Sequence, residues 1–501
     1  MTTETFDEVN PKDLNPAQVQ RAVGAMIGAA VGDALGAFFE FGPAGQFRLQ
    51  FPSPKLVGHG EMIGGGAFDW KPGEFTDDTQ MAVALAEAIV ACGGSFDAAH
   101  TFDRFVAWSK AARDVGITTS GALRSGKPWH AAAEHAHKSI GRSAGNGSVM
   151  RIAPIGIAGV RWGAVECAMV ALQQSSLTHF DPGAGVGAAI VAEMVRQAIL
   201  SGRLDPQPQI IPNVLAAIPG VIDEEVERYS RILHTSWSPE TDDGPSNGSV
   251  WTCVAQAVWA VRTTSSFADA VIAAIELGGD TDTVAAVTGA IAGAIYGLQG
   301  IPIRWMSALN GSVRRPDGSV AEYDAMRLHD LARELLGLNP ATRTETETPR
   351  GPQLVASASS GAAVHAANLE GATLSPADMA VVSMCIVDDR FKDRVNRREV
   401  YMRDNEGHRQ NPMLGFAVRE AVDAIDAFTA AGHDVVVHCH GGRSRTGLVL
   451  KAWYMRHFDV SHTEAHGWLH SCWPLYQTYN QTFWDFLDNE WTDEVHGKVA
   501  K

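Results

Sequence analysis

A cysteine near the end of the chain stands in a loop whose composition suits phosphate chemistry. Residues 438–447 read His-Cys-His-Gly-Gly-Arg-Ser-Arg-Thr-Gly and follow the apolar run 435–437. A strand that ends at a cysteine and re-enters a helix through a glycine-rich turn directs backbone N–H groups and a helix N-terminus at one point, which stabilises an oxyanion or a thiolate. The pattern predicts a nucleophilic Cys439 and a helix over 447–454.

The side chains of this loop extend the prediction. Arg445 supplies a planar fork that can hold two phosphate oxygens, and Thr446 places a hydroxyl beside the sulfur, so both are predicted as catalytic. His440 and Arg443 make the loop unusually cationic, which favours a dianionic ligand. A buried structural cysteine is the weaker alternative, because the strand, loop and helix context is present. The predicted phosphate contacts are Gly441, Gly442, Arg443 and Ser444.

The fixed positions of this segment, HC-x5-R-[ST]-G, resemble the signature of the cysteine-dependent tyrosine and dual-specificity phosphatases. The resemblance implies an α/β domain whose general acid lies on a loop about thirty to thirty-five residues before the cysteine. Asp404 lies 35 positions before Cys439 and is the predicted acid. Glu406 is a competitor, whereas Asp388 and Asp389 lie too far back.

Length and composition indicate a globular protein of more than one domain. The chain has 501 residues, of which 45% are apolar and 19% charged, and this length exceeds one ordinary core. Periodicity stops at a polar Thr/Pro/Glu run over 341–350, which is typical of a linker. We predict a first domain over 18–340 and a second over 351–501.

Charge and cysteine usage restrict the partners and the compartment. The net charge is −17 without a Lys/Arg block, which disfavours nucleic acid. Six scattered cysteines without a C-x-x-C pair indicate neither a disulfide framework nor a zinc site, so a reducing, cytoplasmic environment is expected. Residues 1–16 are polar and acidic, and no apolar run reaches the roughly twenty residues that cross a bilayer. A membrane partner is therefore not expected.

The first domain has the pattern of a succession of small-residue helices. Because Ala and Gly at contacts let helices approach closely, and strand signals are few, we predict an all-α orthogonal bundle. The predicted helices cover 22–35, 81–90, 184–200, 251–262 and 283–296.

Two groups of carboxylates precede helices of this bundle. Residues 76–79 read Thr-Asp-Asp-Thr before a helix over 80–90, and residues 278–283 read Gly-Gly-Asp-Thr-Asp-Thr before a helix over 284–296. Either group alone is explained as helix caps, worth about 1 kcal/mol. If the groups converge, their four carboxylates repel one another, and a divalent cation resolves that repulsion. Ligands that are all oxygen favour Mg²⁺ or Mn²⁺ over zinc.

Two further motifs accompany these groups. GDALG-x3-E, TDDT, GNG-x-x-MR and GGDTDT occur in this order, and with them the region 18–338 resembles the ADP-ribosylglycohydrolase family. The resemblance implies an all-α fold in which two Mg²⁺ or Mn²⁺ ions hold the ribose diol of an ADP-ribosyl group. It also implies cleavage of the N- or O-glycosidic bond of that group.

The same resemblance assigns roles by position. Glu40, on a flap over the ribose, and Asp114 are the candidate catalytic carboxylates, and Asp33, placed just past the first helix, is a cap or an indirect support. A helix-terminal aspartate and a core histidine are open alternatives for Asp114 and His179. The implied metal ligands are Thr76, Asp77, Asp78, Asp280, Asp282, which bridges the ions, and Thr283. The implied contacts to the diphosphate are Asn146, Gly147, Ser148 and His179.

These observations predict a bifunctional hydrolase. One activity removes ADP-ribose from a protein or small molecule with the help of metal ions, and the other dephosphorylates a phosphorylated protein or small molecule through the cysteine, without a cofactor. Two alternatives stay open. The chain could be a binding module for ADP-ribose or phosphoprotein with one inactive site, or its phosphatase could act on a phosphorylated ADP-ribose.

Overall fold

The chain forms two compact units. The structure, a computed structural model, describes residues 8–204, 215, 223–242, 244, 246–341 and 347–495. Unit 1 comprises Met1–Ser53, Met62–Ile301 and Leu309–Ala341, and unit 2 comprises Pro54–Glu61, Pro302–Ala308 and Thr342–Lys501. The domains predicted from the sequence are contiguous, whereas unit 2 includes two short segments of the first predicted domain. Residues 342–346 of the predicted linker lie outside the described residues.

Unit 1 is a helical bundle, as predicted. Each of the five predicted helices lies inside an observed helix. A hairpin of β1 (Asn310–Arg314) and β2 (Val320–Asp324), paired antiparallel, was not predicted. The helices up to residue 341 are α1 (Pro16–Gly36), α2 (Gln46–Gln50), α3 (Asp77–Ala91), α4 (Ala98–Ser109), α5 (Ile117–Leu123), α6 (Trp129–Ile140), α7 (Ala153–Ser176), α8 (Pro182–Ser201), α9 (Asp223–Ile232), α10 (Val250–Arg262), α11 (Phe267–Ile275), α12 (Thr281–Tyr296), α13 (Ile303–Met306, in unit 2) and α14 (Ala325–Leu335).

Side-chain caps set where several of these helices begin. Asn15 and Gln18 form a capping box at the start of α1, and the side chain of Asp181 caps α8. Thr76 is the cap of α3, so Asp77 and Asp78 lie in the first turn of that helix rather than before it. The carboxylates therefore belong to a rigid helix and not to a loop.

The most extensive contact between two helices of unit 1 is the packing of α1 on α12. Gly24, Gly28, Gly32 and Gly36 stand at every fourth position of α1, and a Cβ at any of them would come within 2.0–2.6 Å of backbone atoms of α12. Residues four apart share one helix face, so α1 presents a bare backbone stripe to its neighbour. The contact ends where Thr281 Oγ1 donates to the carbonyl of Gly36 (2.8 Å). The first turn of α12 is thereby fixed against the end of α1.

Two long apolar helices of unit 1 differ from the expectation drawn from the sequence. By length and composition alone, α7 and α8 are long and apolar enough to cross a membrane, although no run of that length was predicted. In this structure 61% of the apolar window of α7 and 94% of that of α8 are buried inside the protein. The two helices also pack on each other, as core helices do.

Unit 2 is an α/β domain, as predicted. The order of its five strands is β3-β4-β7-β5-β6, with β3 antiparallel to β4 and the other neighbours parallel. The strands are β3 (Gln353–Ser357), β4 (Ala363–Asn368), β5 (Ala380–Ser383), β6 (Arg397–Glu399) and β7 (Val435–Cys439). The further helices are α15 (Leu369–Ala372), α16 (Leu414–Ala430), α17 (Ser444–Phe458), α18 (His462–Cys472), α19 (Gln481–Phe486) and α20 (Thr492–Val495).

Buried charges tie the two short segments into unit 2. Arg304 donates to Glu61 (3.0 Å) and lies 3.7 Å from Glu420 of α16. Arg398 of β6 is almost fully buried and donates to the carbonyl of Leu56 (2.8 Å). A buried guanidinium needs acceptors, and here the acceptors come from a distant part of the sequence. The predicted domain bounds stay a prediction, and a fragment cut at the linker would lack these partners.

We expect Gly289→Ala to destabilise unit 1. A Cβ at Gly289 of α12 would lie 2.0 Å from the carbonyl oxygen of Gly28, so the helices would have to separate. Overpacking of this kind costs about 1–3 kcal/mol of unfolding free energy, measurable by chemical denaturation. Gly185→Ala in α8 is the matched control, because its Cβ would meet only a side-chain carbon of Leu172 (3.0 Å). Equal effects of the two substitutions would contradict the role assigned to the glycine contact.

Candidate active sites

Asp33 fixes the start of α3. It lies fully buried in the last turn of α1, not past the helix as the sequence suggested. Its carboxylate accepts hydrogen bonds from the backbone N–H groups of Thr76 (3.0 Å) and Thr79 (3.0 Å) and from the Thr79 hydroxyl (2.5 Å). Asp33 thus caps α3 from another helix, and this cap positions Asp77 and Asp78 in unit 1.

Two asparagines hold the second group of carboxylates. Asn247 accepts from the N–H of Asp280 (3.1 Å) and donates to the carbonyl of Gly278 (2.9 Å). Asn146 donates to the carboxylate of Asp280 (2.9 Å) and to the carbonyl of Asn247 (3.0 Å). Asn146, predicted to contact a diphosphate, therefore also positions a predicted metal ligand. Asn247 was not predicted, and its Asn-Gly dipeptide, a turn signal, is the one sign of it in the sequence.

Glu40 lies in the turn after α1, and backbone hydrogen bonds attach this turn to the loop before α12. The N–H of Phe41 donates to Gly279 (2.7 Å), and the N–H of Gly279 donates to Gly42 (2.9 Å). Glu40, Asp280 and Asp282 each offer a carboxylate oxygen, and these three atoms lie within 4.8 Å of one another. Glu40, which the sequence predicts as a catalytic carboxylate, thus also lies among the candidate metal ligands.

The electrostatics of this acidic site suit a cation. Glu40, Asp78 and Asp282 each have a buried carboxylate oxygen without a hydrogen-bond partner in the described part of the chain. Burial, and then the neighbouring carboxylates, raise the pKa of Asp77, Asp78 and Asp282 well above the ordinary value and the pKa of Glu40 to about 8. Among the described residues, no Lys or Arg forms an ion pair with these four groups. Hard oxygen donors of this kind fit Mg²⁺ or Mn²⁺.

The remaining predicted residues of unit 1 lie close to this cluster. Thr283 of α12 donates to Asp78 of α3 (3.3 Å), so the two predicted ligand groups converge. Asp114 shares a hydrogen bond with Asp77, and burial together with the charge of Asp280 raises the pKa of Asp114 to about 6. The structure therefore brings both candidate catalytic carboxylates to the metal-ligand candidates.

The turn predicted to contact a diphosphate is a short 3₁₀ helix, Asn146–Ser148. Arg151 holds this turn by a hydrogen bond. Arg151 is fully buried and donates to the carbonyl of Gly147 (2.9 Å) and to the hydroxyl of Thr178 (2.8 Å). Thr178 in turn bonds the Nδ1 of His179 (2.8 Å). Arg151 thus couples the turn to the histidine.

His179 and Ser148 are both buried, which limits how each can contact a ligand. Burial and the charge of Arg151 lower the pKa of His179 to about 3, so its ring is neutral. A Cβ at Gly147 would lie 2.9 Å from this ring, which explains the glycine. The hydroxyl of Ser148 is fully buried and donates to the carbonyl of Ala184 (3.4 Å). The side chain of Ser148 therefore supports the turn from within.

In unit 2 the predicted nucleophile stands where the sheet meets a helix. Cys439 is the last residue of the central strand β7, and α17 begins at Ser444, three residues earlier than predicted. Gly442 adopts φ 66°, a conformation that favours glycine, and its carbonyl accepts from the indole of Trp473 (2.6 Å). The conformation of Gly442 and its contact with Trp473 thus set the path of the loop 440–443 between Cys439 and α17.

Arg445 and Thr446 occupy the first turn of α17. Arg445 Nη1 donates to the carbonyls of Met384 (2.9 Å) and Met402 (3.0 Å), which follow β5 and β6, and its Nε lies 3.6 Å from Asp404. The hydroxyl of Thr446 is buried and has no hydrogen-bond partner among the described residues. Arg445 is therefore anchored from the sheet side, while the Thr446 hydroxyl is free for a reacting group.

The candidate general acid has a partner that the sequence did not reveal. Asp404 Oδ2 accepts from the hydroxyl of Tyr479 (2.7 Å), and its Oδ1 is buried without a partner among the described residues. Glu406, the competitor, is exposed and accepts from the N–H of Gln481 at the start of α19 (3.0 Å). The contact between Arg445 and Asp404 places the aspartate, rather than Glu406, at the phosphate loop.

The cationic loop carries an acidic partner that was not predicted. Glu347, from the predicted linker, accepts two hydrogen bonds from Arg443 (3.2 and 3.3 Å) and lies 3.9 Å from His440. The excess positive charge expected at this loop is therefore reduced by the chain itself.

Two family models match separate parts of the chain. Residues 14–345 match the family model described as ADP-ribosylglycohydrolase, and residues 379–485 match that of the dual specificity phosphatase catalytic domain. The ADP-ribosylarginine hydrolase Tri1 of Pseudomonas putida (strain GB-1) is 32% identical over 307 residues, which cover 58% of this chain and 75% of that protein.

Two other relatives cover a similar region. The ADP-ribosyl-[dinitrogen reductase] glycohydrolase of Rhodospirillum rubrum is 32% identical over 301 residues, covering 60% of this chain and 94% of that protein. A solved structure described as an ADP-ribosylglycohydrolase-related protein complex is 28% identical with a TM-score of 0.47, and the match covers 64% of this chain and 98% of that one.

We expect the chelator-treated protein to lose stability as the pH rises from about 5 to about 8. In the unfolded chain, the carboxyls of the acidic site of unit 1 release their protons near their ordinary pKa. In the native site their pKa values are raised, so they retain these protons to a higher pH. Unfolding therefore releases protons, and higher pH favours it. Thermal unfolding of the full chain in EDTA measures this slope.

Two substitutions and one addition sharpen this test. Asp282→Asn removes one buried carboxyl and should reduce the slope, while Glu322→Gln, on the exposed side of β2, should leave it unchanged. Mg²⁺ should raise the midpoint most at high pH, because the cation offsets the repulsion between ionised carboxylates. A slope that is independent of both EDTA and Asp282 would show that the acidic site is merely a set of helix caps.

Proposed function

Because the chain belongs to the ADP-ribosylglycohydrolase family and also carries a dual-specificity phosphatase catalytic domain, we propose that it is a bifunctional hydrolase. One activity removes ADP-ribose from a glycosidic linkage, and the other dephosphorylates a phosphomonoester. The observation that carries the first activity is the convergence of unpartnered, buried carboxylate oxygens from Glu40, Asp78 and Asp282. The second rests on Cys439, which ends a strand directly before a helix.

The preferred linkage is the N-glycosidic bond to arginine. This preference rests on the relative whose name is ADP-ribosylarginine hydrolase. Serine-linked ADP-ribose, an O-glycoside, is the comparison substrate that separates the two possibilities.

The residues of the acidic site divide into ligands and proton carriers. The proposed ligands of two divalent ions are Thr76, Asp77, Asp78, Asp280, Asp282 and Thr283. When bound, the ions supply positive charge that orients the ribose hydroxyls and the attacking water. Cleavage develops positive charge at the anomeric carbon, and the buried carboxylates stabilise that charge. As water adds to the anomeric carbon, the bond from that carbon to the acceptor nitrogen breaks. Asp114 or Glu40, which both lie at the cluster, accepts a proton from the water and returns a proton to the departing nitrogen.

The phosphatase step follows from the loop. The Cys439 thiolate forms a bond to phosphorus while the bond from phosphorus to the leaving oxygen breaks, and Asp404 protonates that oxygen. Arg445, anchored on two carbonyls, and the loop N–H groups stabilise the equatorial oxygens. Water then attacks the cysteinyl phosphate, Asp404 takes its proton, and the Thr446 hydroxyl assists departure of the sulfur.

We expect the two activities to be separable by mutation. Cys439→Ser should abolish phosphate release and leave release of ADP-ribose intact, and Asp282→Asn should do the reverse, because the two sites share no residue. EDTA should act like Asp282→Asn, since the candidate metal ligands found among the described residues belong to the acidic site. Release of ADP-ribose from an arginine-linked protein and of phosphate from p-nitrophenyl phosphate measures both. Loss of both activities in each folded single mutant would contradict the two-site proposal.

We expect Asp404→Asn to slow the phosphatase most for substrates with a basic leaving oxygen. An alkyl phosphate requires protonation as it leaves, whereas p-nitrophenolate departs with little help, so the loss should be about a hundredfold larger or more for the former. Glu406→Gln is the matched control and should change either rate by less than about twofold. A similar loss on both substrates in Asp404→Asn would mark Asp404 as a structural residue that holds Arg445.

A further inference from the structure

The catalytic phosphate loop carries two basic side chains that the reaction above does not use. Arg443 donates both of its terminal nitrogens to the carboxylate of Glu347, at 3.2 and 3.3 Å, and the ring of His440 lies 3.9 Å from the same carboxylate. Among the described residues, the guanidinium of Arg443 has no other hydrogen-bond partner. The carboxylate of Glu347 therefore occupies an anion site that is formed by Arg443 and His440.

The segment that carries Glu347 is fixed on the sheet by a buried asparagine. Asn368, at the end of β4, donates to the carbonyl of Thr348 (2.9 Å) and exchanges backbone and side-chain hydrogen bonds with Arg350 (2.9 and 3.0 Å). The next residue, Leu369, donates its N–H to the carbonyl of His440 in the phosphate loop (3.0 Å). The acidic residue and the loop thus share one anchor, so the position of Glu347 is a feature of the fold.

The two arginines of the loop have different surroundings. Arg445 is held by two main-chain carbonyls and is 15% exposed, as suits a group that must be rigid at the reacting phosphate. Arg443 is 39% exposed and Glu347 is 30% exposed, so a ligand can reach both of them from solvent. An ion pair this open is weak, and a more highly charged group can displace it.

We propose that Arg443 and His440 form a second anion site for a small substrate that carries two phosphoryl groups, and that Glu347 covers this site in the free enzyme. One phosphoryl group reacts at Cys439, and the other replaces the carboxylate of Glu347 on Arg443. This inference rests on the proposed phosphatase activity, which it deepens by naming a substrate class.

A phosphoryl group, rather than a carboxylate, is the ligand that this arrangement selects. Glu347 is tethered beside Arg443 at a high effective concentration, so a carboxylate on a separate molecule competes poorly with it. A phosphoryl dianion offers three oxygens and about twice the charge, and a guanidinium fork binds two of those oxygens in parallel. The covering residue therefore discriminates against weaker anions.

The test compares matched substrates on the full chain. Alkanediol monophosphates and bisphosphates of two, three and four carbons differ in the second phosphoryl group and in its reach, and phosphate release gives kcat/KM for each. The wild type should prefer the bisphosphate at one chain length. Glu347→Gln should raise that preference about twofold to fivefold, the range expected for a partly exposed ion pair, with the monophosphate rate nearly unchanged. Arg443→Gln should remove the preference.

Glu370→Gln is the matched control, because Glu370 pairs with Arg390 (3.3 Å) in the same unit but does not contact the phosphate loop. It should leave the preference as in the wild type. Equal acceleration of monophosphate and bisphosphate by Glu347→Gln, or no preference in the wild type at any length, would overturn the second site. If the wild type releases phosphate from neither the monophosphates nor the bisphosphates, the phosphatase proposal itself fails, and the two failures are thereby distinguished.

Discussion

The backbone contact between α1 and α12 is the constraint on which unit 1 and its acidic site depend. Glycines at four successive turns of α1 let the two helices touch without intervening side chains. The contact runs to the point where both ligand groups start, because Asp33 near the end of α1 caps α3, and Thr281 at the start of α12 bonds Gly36. A side chain on this stripe would separate the carboxylates that the site has to bring together.

Both sites are built at helix N-termini, yet they suit ligands of opposite charge. In unit 1 the first turns of α3 and α12 carry carboxylates, whose negative charge offsets the partial positive charge of each helix N-terminus. Carboxylate oxygens without a partner among the described residues remain for a cation. In unit 2 the start of α17 carries Arg445 and a glycine loop, so its N–H groups remain available for an anion. The side chains of the first turn therefore decide which ion a helix terminus binds.

Positioning residues support the predicted site residues in both units, and two of these, Asn247 and Tyr479, are distant in sequence from the groups they hold. Asn247 holds Asp280, Arg151 braces the Asn146–Ser148 turn, and Tyr479 bonds Asp404 from 75 positions along the chain. Each is buried against, or bonded to, a group that would otherwise rotate or remain unpaired. The positions of the predicted site residues therefore depend on these three positioning residues.

The sequence by itself determined the local chemistry: the loop around Cys439, the carboxylate pairs at helix starts, the helical bundle and the α/β domain. These follow from neighbouring residues, because helix periodicity, capping and glycine turns act over a few positions. Only the tertiary structure decided that Asp33 caps α3, that Glu40 joins Asp280 and Asp282, that Glu347 covers Arg443, and that residues 54–61 belong to unit 2. Such contacts join residues tens to hundreds of positions apart, and a single sequence has no periodic signal across that distance, so these hydrogen bonds and ion pairs become visible only once the chain is folded.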